Sequence, residues 1–148
     1  MKKALLFLLA CTLGMNLFAQ VLLQQDFSSG QMPPTGWMVF GNTSNWVISQ
    51  TNYAGGITPE AKVKNSPSFN GTMRFISPSV NTSGQTVVII QFKHVFDHVD
   101  DNSTAFTIAV DTRSNNGTWH NVWSVAATSD ISAETVTIPV NNTDVGSS

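Results

Sequence analysis

TVVIIQFKHVFDHVDD (Thr86–Asp101) carries two histidines four positions apart. On a helix that spacing would put both imidazoles on one face, as in zinc sites. The run leading into them, Thr86-Val87-Val88-Ile89-Ile90-Gln91-Phe92-Lys93, is rich in β-branched residues, so a strand is predicted over Thr86–His98. At period two, His94, Phe96 and His98 share a face with Val88, Ile90 and Phe92, while Val95, Asp97 and Val99 share the other. The two imidazoles then stand about 13 Å apart, at ~3.3 Å per residue, too far to hold one ion in a regular strand. His94 is expected to be a hydrogen-bonded histidine in or near the sheet core.

The same rhythm extends outward in both directions. Apolar segments recur between Gly, Pro, Asn and Ser, and strands are predicted at Val21–Phe27, Trp37–Phe40, Trp46–Gln50, Ala61–Lys64, Met73–Ile76, Ala105–Asp111, Trp119–Val125 and Thr135–Val140. Phe106, Ile108 and Val110 alternate with Thr107 and Asp111, and Val136, Ile138 and Val140 alternate with Thr135 and Thr137. One wet and one buried face favours antiparallel sheets. Pro33-Pro34-Thr35-Gly36, Asn70-Gly71, Ser83-Gly84 and Asn116-Gly117 supply the φ values that tight turns need, and the last is expected to close a hairpin between Ala105–Asp111 and Trp119–Val125. No long run holds a helical period. The reading is a single all-β domain over residues 20–148, an antiparallel β-sandwich.

Residues 1–19 read as a secretory signal peptide: Lys2 and Lys3, then an apolar stretch from Ala4 to Leu13, then Ala19 before Gln20. Thr12, Gly14 and Asn16 interrupt that stretch, which falls short of the ~20 apolar residues of a membrane span. Leu8-Leu9-Ala10-Cys11 also spells a lipoprotein box, the alternative in which Cys11 becomes the N-terminus. Cleavage after Ala19 instead removes the only cysteine and with it disulfides, a thiol nucleophile and Cys-ligated metal. Loss of Lys2 and Lys3 takes the formal charge from −2 to −4. The basic residues left, Lys62, Lys64, Arg74, Lys93 and Arg113, are scattered, which argues against a nucleic-acid or anionic-membrane surface.

Several groups are candidates for chemistry. Asp97, Asp100, Asp101 and Asn102 offer the loop oxygens that calcium takes, though the EF-hand glycine and terminal glutamate are missing, and a turn of this composition is usually a solvated loop. No G-x-S-x-G elbow accompanies His94 or His120, and the only glutamates, Glu60 and Glu134, are far apart in sequence, so no catalytic residue is assigned. Tyr53 in Thr51-Asn52-Tyr53-Ala54-Gly55-Gly56, with Trp119 and Trp123 on one predicted strand face, offers rings that stack on a sugar, the alternative for the two tryptophans being ordinary core packing. Trp37 and Trp46 are expected in the core. The N-x-[ST] sequons at Asn42, Asn70, Asn81, Asn102, Asn116 and Asn141 are explained by the preference of these residues for β-turns.

Asp26-Phe27, Pro34-Thr35-Gly36-Trp37, Asn45-Trp46 and Arg74-Phe75-Ile76-Ser77-Pro78-Ser79-Val80, followed by Gly84 and a strand through Gln91-Phe92, stand in an order that resembles the cleaved-adhesin, or choice-of-anchor J, family. Its members are MAM-like jelly rolls of exported bacterial proteins. The likeness runs over residues 23–98, and beyond that by strand rhythm only. It implies a lectin-like jelly roll that acts in adhesion or substrate binding, often appended to secreted enzymes and often holding structural calcium. Asp26 and Asn45 occupy two of the family's ligand places. Ser28 stands where relatives commonly carry Glu, and the family's final aromatic strand with its Asp-Asp pair is absent. That strand would lie beside Val21–Phe27, so on this reading the domain is truncated and leaves an open edge. The expectation is a non-catalytic module, secreted or at the cell surface, that binds protein or glycan through Tyr53, Trp119, Trp123 and the Asp97–Asn102 loop. The alternative is an accessory domain of a larger secreted peptidase or glycoside hydrolase.

Overall fold

The computed structural model describes residues 20–98 and 105–146. The leader with Cys11, and Val99, Asp100, Asp101 and Asn102, lie outside the described residues. The protein is all-β: β1 Met38–Phe40, β2 Trp46–Ser49, β3 Glu60–Val63, β4 Arg74–Ile76, β5 Val88–Phe96, β6 Phe106–Thr112, β7 His120–Ala127 and β8 Ile131–Val140, with one 3-10 turn at Thr43–Asn45. No described helix is long and apolar enough to cross a membrane. The strands pair antiparallel as ribbons, β1 with β4, β2 with β3, β5 with β8 and β6 with β7. Among the described residues each strand has one partner, so the pairings define ribbons, and the larger sheets of a jelly roll are not seen there.

β5 alternates as its sequence requires. Val88, Ile90, Phe92, His94 and Phe96 are half-buried, while Ile89, Gln91, Lys93 and Val95 face solvent. Its inner face meets the β6–β7 ribbon through aromatic rings. Phe92 stands edge-on to Trp123 at 5.6 Å, and Phe96 lies 5.7 Å from Phe106. Side chains of one ribbon filling the face of another is the layered packing of a β-sandwich. The fully buried aliphatic residues are on this side as well: Ala127 in β7, Ile138 and Val140 in β8. Pro139 between them has no N–H to donate, which β8 tolerates because it is paired on one side only.

A second aromatic cluster gathers the N-terminal half. Phe75 of β4 stacks on Trp37 at 4.4 Å and leans on Trp46 and Phe27 at 5.4 and 6.0 Å. Trp37 and Trp46 are therefore packed residues, as their positions in the sequence predict.

One predicted strand is absent. Val21–Phe27 is irregular, because its backbone has no ladder partner among the described residues. Local side chains satisfy it instead: Gln25 Oε1 accepts from the Phe27 N–H at 2.7 Å, and Asp26 Oδ1 accepts from the Ser28 N–H at 3.0 Å. Phe27 itself turns to φ 59. The expected β6–β7 hairpin forms, but its turn lies one residue early. Asn115 and Asn116, not Asn116 and Gly117, hold the left-handed positions at φ 49 and 57, and the Gly117 N–H closes the turn on Ser114 O. Asparagine tolerates this region better than other non-glycine residues, so either pairing satisfies the turn chemistry.

Candidate functional site

Polar chemistry collects in two places. The first is the loop from β2 to β3. Glu60 turns its carboxylate back beneath that loop: Oε1 accepts from Thr51 Oγ1 and from the Tyr53 N–H at 3.1 Å, and Oε2 accepts from the Ala54 N–H at 3.1 Å. Burial works against the charge, yet the hydrogen bonds from Thr51, Ala54 and Tyr53 and the field of Lys62 outweigh it and hold the carboxyl below its ordinary value. From β5, Lys93 Nζ donates to Gly55 O at 2.6 Å. The loop backbone is thus pinned from below, while Tyr53 and Ile57 stand out from it, 68% and 87% exposed.

The second place is the end of the β6–β7 hairpin. A register shift sets Val110 opposite Trp123 but Asp111 opposite Asn121, leaving Val122 as an extra residue. Such a bulge breaks the period-two alternation that would have put Trp119 and Trp123 on one face. Trp123 turns inward, edge-on to Phe92 and to His94 at 5.6 and 5.5 Å. Trp119, one residue before β7, stays at the rim, where the guanidiniums of Arg113 and Arg74 lie over its ring at 4.2 and 4.8 Å. Arg74 is held by Asp111, whose other oxygen accepts from Asn121 Nδ2 at 2.9 Å. Burial opposes ionisation of Asp111, but the Asn121 and Arg74 hydrogen bonds and the Arg74 charge more than offset it, and its pKa is lowered.

Beside this stack is a second polar knot. Asp144 Oδ2 accepts from Thr112 Oγ1 at 2.6 Å and sits 2.9 Å from His120 Nδ1; Asn142 Nδ2 donates to Thr112 Oγ1 at 2.9 Å. The Asp144 side chain is 5% exposed and that of His120 46%. Desolvation would raise the Asp144 pKa, and the Thr112, His120 and Ser114 hydrogen bonds with the His120 charge bring it down instead. His120 and Asp144 have the orientation of a histidine–carboxylate pair, but Ser114 bonds the carboxylate rather than the imidazole, and no serine is hydrogen-bonded to His120 among the described residues. An open depression of about 440 Å³ adjoins the knot, lined by His120, Asn121, Pro139 and Asn142 among others.

His94 has the role its strand position implies. Its Nε2 lies 2.9 Å from Glu134 Oε1 on the paired strand β8, and its ring packs between Phe92 and Trp123. Asp97 follows β5, where the neighbouring His98 N–H is taken by Asp130 Oδ1 at 2.8 Å. Asp26 is exposed and spends Oδ1 on the N–H and hydroxyl of Ser28, which lower its pKa. Asn45 is fully buried, 0% exposed, and gives its amide to Lys64 O and Pro67 O at 2.7 and 2.6 Å. Its Oδ1 has no hydrogen-bond partner among the described residues. Among the described residues no three His, Cys, Asp or Glu side chains converge as a metal cage. Asn45 Oδ1 and the second oxygen of Asp26 would each bring one ligand where calcium takes six to eight oxygens.

Comparison with protein-family models, curated proteins and solved structures finds no match. Sequence reasoning missed Glu60, Arg74, Arg113 and Asp144 as organising residues. Arg74 sits within the quoted R-F-I-S-P stretch, but its partner Asp111 is 37 positions away. Asp144 falls in a polar segment with no periodicity to read.

Proposed function

We propose that this chain is a non-catalytic exported module that binds protein or glycan at a cell surface, using loops at the rim of a rigid β framework. One observation carries the reading: Tyr53 stands exposed on a loop whose backbone is pinned by Glu60 and Lys93. An aromatic residue on a loop backbone already held in place leaves less entropy to lose on binding and offers one broad apolar face, suited to a pyranose or to a partner's apolar anchor. Binding is favoured over hydrolysis by the histidines. His94 is packed against Glu134 inside the framework, and the carboxylate beside His120 serves Thr112 and Ser114 as well. Calcium belongs to the proposal as a structural ion on Asp26 and Asn45, supported by the buried Asn45 Oδ1 that lacks a partner. The module acts alone or as the accessory domain of a larger secreted peptidase or glycoside hydrolase.

The test is an array of neutral and charged polysaccharides and immobilised matrix proteins, probed with the wild-type protein and Tyr53→Ala. Because Tyr53 is exposed, the variant should melt like the wild type. Its signal should fall at least tenfold on whatever surface the wild type binds. Equal binding by the two proteins would remove Tyr53 from the site, and an array with no signal at all would end the reading.

A further inference from the structure

We infer that Arg113, seated on Trp119 at the end of the β6–β7 hairpin, is a subsite for an anionic group, a carboxylate or sulfate carried by a polysaccharide. The inference rests on the binding-module reading and names the class of ligand. The two arginines over Trp119 differ in one respect. Arg74 has its counter-charge in Asp111, whereas Arg113 forms no ion pair among the described residues. The nearby carboxylate of Asp144 is already shared by Thr112, His120 and Ser114.

A guanidinium lying on an indole is held by its flat face, so its N–H donors point outward in the plane. That fork matches the paired oxygens of a carboxylate or sulfate, and stacking has already removed much of the side chain's rotational freedom. The second arginine strengthens the site: Arg74, neutralised by Asp111, braces the ring without adding net charge. Asn115, Asn116 and Thr118, exposed on the same short connection between β6 and β7, carry further polar groups for sugar hydroxyls. The formal charge of the whole chain is −2, so a polyanion has no general attraction to it. Affinity for one must come from a local cation. Trp119 is then a platform reached through Arg113, not the bare sugar-stacking face that the sequence suggests.

The experiment measures binding of the folded protein to heparin, polygalacturonate and dextran at low ionic strength. Heparin or polygalacturonate should bind and dextran should not; binding of polygalacturonate marks carboxylate, and because heparin carries carboxylates as well as sulfates, binding of heparin without polygalacturonate marks sulfate. Arg113→Gln should weaken binding at least tenfold with an unchanged urea midpoint, and Arg113→Lys should recover only part of it because ammonium cannot stack as a fork. Lys64→Gln, a charge change elsewhere, should have no effect. Equal losses in Arg113→Gln and Lys64→Gln, full recovery by Arg113→Lys, or no binding of either polyanion would overturn the inference. In the last case a Tyr53-dependent signal on a neutral surface would leave the binding-module reading standing.

Discussion

Replacing Glu60 by glutamine tests whether the Tyr53 loop is prearranged. The carboxylate accepts three hydrogen bonds, from Thr51 Oγ1 and the Tyr53 N–H on one oxygen and from the Ala54 N–H on the other. Glutamine keeps the shape but has one acceptor. In its better orientation it preserves the first two bonds and sets its NH2 group against the Ala54 N–H. The two surviving bonds drop from charge-assisted to neutral, about 1 kcal/mol each at most, and the third is lost. Discounted for partial exposure, the expected cost is about 2 kcal/mol. That is roughly a 30-fold loss of exchange protection at the Tyr53 and Ala54 amides, or about 4–8 °C in melting temperature if the loop unfolds with the domain. Because the folded carboxyl lies below its ordinary value, its contribution is complete above the pKa of unfolded glutamate, ~4.3, and disappears as the pH falls through the folded value. The gap between wild type and variant should therefore be full at neutral pH and close in acid. Amide exchange followed by NMR across this range is the assay. Unchanged protection at neutral pH, or a gap that persists in acid, would refute the argument.

Arg74→Ala leaves Asp111 partly buried without its counter-charge and should cost about 2 kcal/mol; a double-mutant cycle with Asp111→Ala measured by urea denaturation should return a coupling above ~1 kcal/mol, and zero coupling would refute the pairing. Ile138→Ala opens a cavity in the small aliphatic core and should lower the unfolding free energy by about 3 kcal/mol in the same assay. Asn116→Val forces a β-branched residue into φ 57 and should destabilise by about 1–2 kcal/mol, whereas Asn116→Gly should not. Calcium in excess should raise the melting temperature, by the equivalent of about 2.7 kcal/mol at a hundredfold excess over Kd, and calorimetry showing a flat response would remove the ion from Asn45.

Periodicity and β-branched composition located the segments that form the strands of the fold and, in uninterrupted ones such as Val88–Phe96, the apolar face. Val88 to Phe96 alternates in the structure as its residues demand, and His94 lands among Phe92, Trp123 and Glu134 because parity leaves it no other side. Parity is local, so it fails where one residue is inserted or no partner arrives. The extra residue at Val122 separates Trp119 from Trp123, and Val21–Phe27 has strand composition but no strand to lie against among the described residues. The candidate sites depended on tertiary structure for the same reason. Arg74 meets Asp111, and Lys93 meets Gly55, across separations that no sequence window spans. Which arginine over Trp119 has an ion-pair partner among the described residues was decided by packing, since only the folded chain brings Asp111 to Arg74 and not to Arg113.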